Sequence, residues 1–151
     1  MSSSDGSTVI FRRAPAGLRR RPIQSFARTL EREVAKGRPF DCLIAGDAAL
    51  RRLNREFRGE DHATDVLSFP AGENASTPFL GDIAISLGRA RVQSRRFGHS
   101  VEDEVRVLML HGLLHLLGMD HESDGGRMAR REARWRVRLG LPSGLIERVR
   151  P

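Results

Sequence analysis

At 151 residues the chain is long enough for one domain with its own core, and 30% charged against 39% hydrophobic residues describe a globular protein. No apolar run approaches the roughly 18 residues of a membrane span. The first residues lack the basic and apolar regions of a secretory signal, and a single cysteine, Cys42, rules out an internal disulfide and suits a reducing, cytoplasmic compartment. The formal net charge is +7, and Lys36 is the lone lysine among 26 basic residues. A surface this rich in arginine, whose planar fork pairs with phosphate, favours polyanions and above all nucleic acid.

Residues 1–7 read as a disordered tail and 8–151 as a single domain. Thr8 to Phe11 is short and β-prone, and a basic run follows it from Arg12 to Arg21. Ile23, Phe26, Leu30 and Val34 at helical spacing predict a helix over about 22–35, with Gly37 beyond its end. Asp41 to Ala45 reads as a strand, and Asp47 as the cap of a helix that carries Leu50, Leu53 and Phe57 and stops at Gly59. Strands are expected over 65–70 and 82–86, separated by a loop rich in Gly, Pro, Ser and Asn. A helix is predicted over 87–97, and Ser100 caps the next, with Glu102, Asp103 and Glu104 in a first turn where the helix dipole favours negative charge. From Val105 to Leu117 that helix is almost wholly apolar apart from Arg106 and two histidines, so it belongs in the core. A last helix is expected over about 123–139. The pattern describes a small α+β domain: a sheet of about four strands covered by helices, one of them a buried metal-binding helix.

The chemistry concentrates in His111-Gly112-Leu113-Leu114-His115-Leu116-Leu117-Gly118-Met119-Asp120-His121. Two histidines one turn apart project from one helix face. Gly118 suits the left-handed conformation that ends a helix, after which the chain can swing His121 back toward the other two. Three nitrogen ligands leave a tetrahedral ion one open position, the arrangement of a catalytic rather than a structural zinc site. The spacing equals the H-E-x-x-H-x-x-G-x-x-H pattern of metzincin proteases, except that Gly112 stands where the catalytic Glu belongs.

Taken together with other segments, this motif resembles the YbeY-type endoribonucleases, a family of ribosomal-RNA maturation factors with a zinc-protease-like fold. The resemblance is carried by Leu53-Asn54 and Arg58, by Thr64-Asp65-Val66-Leu67-Ser68-Phe69-Pro70, by Gly81-Asp82-Ile83, by the histidine stretch, and by Met128 and Glu132 in a Met-x-x-x-Glu pattern. Ala63 stands where the family usually has proline and Met119 where it has an aromatic residue; neither change removes a ligand. The resemblance implies single-strand-specific, metal-dependent RNA cleavage, ribosomal-RNA 3′-end maturation and ribosome quality control, with single-stranded RNA, rRNA and ribosomal subunits as partners.

On this reading His111, His115 and His121 hold one zinc ion through neutral nitrogens. Arg58 is the candidate for binding phosphate and stabilising the charge of the phosphorane; equally, a cation in the last turn of a helix stabilises its dipole. Asp65, Asp82, Asp120 and Glu122 are the candidate general bases, unless a ribose 2′-hydroxyl is itself the nucleophile. Glu132 lies on the apolar stripe of the last helix, where it can receive the second N–H of a metal-bound histidine or pair with a neighbouring arginine. Arg127, Arg131, Arg134 and Arg138 follow 4-3-4 spacing on the opposite face, either a phosphate track or a solvated surface. One Trp and no Tyr leave little for base stacking, so backbone contacts should dominate. Two alternatives remain open here: a zinc metalloprotease of the H-x-x-x-H-x-x-G-x-x-H type, and a non-catalytic ribosome-binding module with a structural metal.

Overall fold

The computed structural model describes residues 6–12, 18–72, 78–120, 124–142 and 146. The elements run β1 (Thr8–Phe11), α1 (Arg20–Glu33), β2 (Asp41–Ala45), α2 (Asp47–Arg58), β3 (Val66–Pro70), β4 (Gly81–Ser86), α3 (Leu87–Phe97), α4 (Val101–Leu116) and α5 (Arg127–Leu139). The strands form one sheet in the order β1-β2-β4-β3, with β1, β2 and β4 parallel and β3 antiparallel at the edge. This is the expected α+β architecture of four strands covered by helices.

Alternation along the strands divides the sheet between two layers. Cys42, Ile44, Ile83 and Ile85 point to the face that packs against α1 and α4, together with Ile23, Leu30, Leu108 and Leu113. Ala45, Leu67 and Ala84 point to the other face, where Leu50 of α2 covers them. Successive strand residues face opposite ways, so the central strands β2 and β4 bury side chains on both sides. α4 is buried on nearly every side, as its sequence requires.

Three contacts fix helix directions. Gln24 accepts from the Val9 N–H and donates to the Ser7 carbonyl, and Arg20 stacks over Phe11, so α1 runs antiparallel to β1. The Glu102 carboxylate receives the backbone N–H and the guanidinium of Arg19, which places the start of α4 beside the start of α1. α4 therefore travels from the C-terminal edge of the parallel strands toward their N-terminal edge.

Several boundaries differ from the sequence expectation. α1 starts at Arg20, with Pro22 inside its first turn, where a missing N–H costs nothing. Gly46 rather than Asp47 is the N-cap of α2; Asp47 opens the helix and its carboxylate accepts from Ser86 Oγ at 3.1 Å. α5 starts at Arg127, because Gly125 and Gly126 adopt left-handed φ and Asp124 accepts the N–H groups of Gly126 and Met128. Residues 1–5 of the expected tail lie outside the described residues, whereas Ser7 belongs to the fold: it is buried and donates to Glu31 through both its N–H and its hydroxyl.

Candidate metal centre

The histidine pair is built by the end of α4. Ser100 caps the helix start by accepting the Asp103 N–H. At the other end the Gly118 N–H reaches the His115 carbonyl and the Met119 N–H reaches the Leu114 carbonyl, with Gly118 at φ 91°. This is a Schellman turn, and it needs the left-handed residue that glycine supplies. The chain leaves the helix three residues after His115, as the spacing predicts.

His111 and His115 bring their Nε2 atoms to 3.1 Å of each other, with the rings steeply inclined at 74°. A tetrahedral zinc bound at about 2.0–2.1 Å holds two ligand nitrogens about 3.3 Å apart, so the pair is spaced for a shared cation. His111 is buried, whereas His115 is half-buried. Behind the pair, His111 Nδ1 lies 2.6 Å from Glu132 Oε2, and the other carboxylate oxygen accepts the Ile146 N–H at 2.8 Å. A carboxylate on Nδ1 holds the proton there and leaves the Nε2 lone pair for a metal. Of the two sequence readings of Glu132, the histidine contact is the one observed. Among the described residues no third His, Cys, Asp or Glu completes the group, and His121 lies outside them.

Gly112 has a packing reason. A Cβ there would meet Ile83 Cγ2 at 2.8 Å, so α4 lies on β4 so closely that any side chain would force the helix or Ile83 to shift. The Gly112 carbonyl also accepts the Ser68 hydroxyl at 2.9 Å, tying α4 to the edge strand β3 between the two histidines. A protease glutamate at this position would overlap Ile83 from its Cβ onward. The anchoring role of Ser68 was not assigned from sequence; its signal is a hydroxyl on the inward-facing side of a short strand, in register with Ile83.

The remaining candidates are dispersed. Asp82 precedes Ile83 on β4 and therefore points to the α2 face, away from the imidazoles. Its carboxyl is pushed up by burial and then by the neighbouring Asp41. Asp65 lies in the turn before β3, where its carbonyl accepts the Ser86 N–H. Asp120 is exposed just beyond the Schellman turn, and Glu122 is outside the described residues.

Arg58 is exposed in the last turn of α2, directly before the left-handed Gly59, a placement that suits the dipole role. Its neighbour Phe57 packs edge-on against Phe69 of β3 at 5.5 Å. Arg127, Arg131, Arg134 and Arg138 are all exposed along α5, and Arg138 stacks on Trp135 at 4.9 Å.

A family model described as Endoribonuclease YbeY matches residues 18–140. The chain is 68% identical over 149 residues to Endoribonuclease YbeY of Solibacter usitatus, covering 99% of both chains. It is 41% identical to the protein of the same name from Koribacter versatilis, over 93% of this chain and 91% of the other. The solution structure of a Thermotoga maritima protein superposes with a TM-score of 0.58 at 26% identity, over 85% of each chain. A match that spans the sheet, the histidine helix and α5 leaves one assignment: this chain belongs to the YbeY endoribonuclease family.

Proposed function

We propose that the chain is a single-strand-specific, metal-dependent endoribonuclease that matures the 3′ end of ribosomal RNA and serves ribosome quality control, working in the cytoplasm on rRNA and ribosomal subunits. The observation that carries the metal half of this reading is the convergence of the two Nε2 atoms at 3.1 Å with Glu132 fixing His111 from behind. His111, His115 and His121 are the proposed ligands of one zinc ion, and two imidazoles already spaced for a shared cation fit that group. When bound, such an ion supplies a Lewis acid for a phosphoryl oxygen and lowers the pKa of a coordinated water.

The chain's own residues supply the rest. Glu132 orients the His111 ring. Gly112 brings α4 against the sheet, so that the histidines project from a rigid element. Arg58 is the proposed phosphate contact that stabilises charge on the cleaved group. The net charge of +7 draws the RNA backbone to the surface.

The deciding experiment is elemental analysis of the purified protein alongside cleavage of single-stranded and duplex RNA, with and without chelator. The reading expects about one metal per chain, cleavage of the single strand only, and loss of cleavage on chelation. Metal-bound protein that never cleaves RNA would instead identify a binding module with a structural ion, and cleavage of casein would return the protease.

A further inference from the structure

The C-terminal edge of the parallel strands carries a second feature that the metal centre does not use: a cavity of about 670 Å³. Arg12, just past β1, lines it together with Arg52 of α2 and Arg91 of α3, while its walls include Ile44 and Leu87. Its one acidic lining residue, Asp47, is engaged by the Ser86 hydroxyl at 3.1 Å and by Arg89 at 3.6 Å. Arginines from three places in the chain thus line a space whose single carboxylate is already engaged. Arg12 and Arg52 bring two exposed like charges to one cavity, and an anion between them removes the cost of their repulsion.

The backbone adds to the same field. α2 and α3 both start at this cavity, and Gly88 lies against Asp47, where an added Cβ would meet Asp47 Cβ at 3.5 Å. The first-turn residues Ala48 and Ala49 line the cavity, and the Gly46 cap of α2 offers no side-chain acceptor for their N–H groups. The size falls within the range of small-ligand sites, about 300–1,000 Å³.

The cavity is separate from the histidines. Gly112 packs on Ile83, and α4 runs from there toward the N-terminal edge, whereas the cavity opens beyond Ala45 and Ser86. Three strand steps from Ile83 to Ser86, about 10 Å, and a further helical turn to His115 separate the two.

We propose that this cavity is a nucleotide-phosphate site, in which Arg12 and Arg52, with Arg91 beside them, bind the phosphate and the apolar surface of Ala48, Ala49 and Leu87 receives the sugar or base. The phosphate belongs either to the RNA chain several nucleotides from the cleaved bond or to a free nucleotide. The RNA source rests on the endoribonuclease reading above; phosphate binding itself does not.

The test uses adenosine 5′-monophosphate and a labelled single-stranded RNA of about 20 nucleotides, with the metal-loaded protein. Arg12→Gln/Arg52→Gln removes two charges at exposed positions, and His115→Ala serves as the comparison. The nucleotide should bind the arginine variant about tenfold or more weakly, and should bind His115→Ala as it binds wild type. Equal affinity in the arginine variant, or loss in His115→Ala alone, overturns the proposal.

A raised KM for the RNA in the arginine variant at unchanged metal content assigns the phosphate to the RNA chain. An unchanged KM with lost nucleotide binding assigns it to a free nucleotide. Wild-type protein that cleaves no RNA yet loses nucleotide binding in the arginine variant separates failure of the endoribonuclease reading from failure of this site.

Discussion

Glu132 Oε2 stands 2.6 Å from His111 Nδ1, a contact that joins α5 to the end of α4 across 21 positions of sequence. Glu132 is 1% exposed, and its second oxygen is held by the Ile146 N–H. A carboxylate buried this deeply must be fully hydrogen-bonded to be tolerated, and the partner it has is one of the two imidazoles whose Nε2 atoms meet at 3.1 Å.

Glu132→Gln preserves the shape and one acceptor, for the Nδ1 proton, but removes the charge and turns its amide NH2 toward the Ile146 N–H. The fold should survive, while metal affinity falls about 10–100-fold, the usual effect of losing such an outer carboxylate. Competition against a chromophoric chelator measures it. Affinity equal to wild type would reduce Glu132 to a packing residue.

The contact between Gly112 and Ile83 gives a stability prediction. Gly112→Ala sets a methyl 2.8 Å from Ile83 Cγ2, so the buried helix must shift, at about 1–3 kcal/mol. Denaturant unfolding of Gly112→Ala, Ile83→Ala and the double variant forms a cycle, and a coupling beyond about 0.5 kcal/mol is expected, because the smaller residue at 83 relieves the overlap. Additive effects would mean that the helix relaxes away from the strand without cost.

These two contacts show where sequence reading reaches its limit. The α4 helix, its Ser100 cap, its Gly118 terminus and the one-turn spacing of His111 and His115 are local, so each was legible from a few neighbouring residues. The fit of Gly112 against Ile83, the Ser68 bond to the Gly112 carbonyl and the choice of His111 as the partner of Glu132 depend on which elements the topology brings together. Periodicity carries no such information. The absent protease glutamate was visible in the sequence, but its cause, a helix packed too tightly on the sheet, was not. Helix starts slipped for a related reason: side chains from other elements and paired glycines decide where α2 and α5 begin.

Arg58→Ala tests the proposed phosphate contact. Metal content and fold should be retained, since the side chain is exposed. RNA turnover should fall about 10²–10³-fold if the guanidinium serves the transition state. Unchanged turnover at saturating RNA would leave Arg58 as a cation at a helix C-terminus.

The pairing of Arg19 with Glu102 makes stability depend on pH. The Arg19 side-chain hydrogen bond holds the Glu102 carboxyl below its ordinary value of 4.5, against a smaller opposing effect of burial. A carboxyl depressed in the folded state contributes stability that is complete above its unfolded value and is lost as pH falls through the folded one. Wild type should therefore exceed Glu102→Gln in stability at pH 7, with the gap closing below about pH 4.5. Urea unfolding at pH 7 and pH 3 measures both, and the same gap at each pH would dismiss the pair as the cause.

The arginines of α5 decide how RNA is held away from the metal. Arg127, Arg131, Arg134 and Arg138 are exposed on one helix, and Arg138 already stacks on Trp135, the one tryptophan of the chain. If this face follows the RNA backbone, affinity falls steeply with salt through counterion release, at roughly −0.7 log units per phosphate neutralised on a single strand. Arg131→Gln/Arg134→Gln should then flatten the slope of log K against log salt by about 1.4 and weaken all sequences alike, because guanidinium contacts to phosphate carry no base information. Anisotropy titrations of a labelled single strand at several salt concentrations give the slope directly. An unaltered slope would turn this face toward solvent or a protein partner and leave the backbone to Arg58 and the arginine-lined cavity.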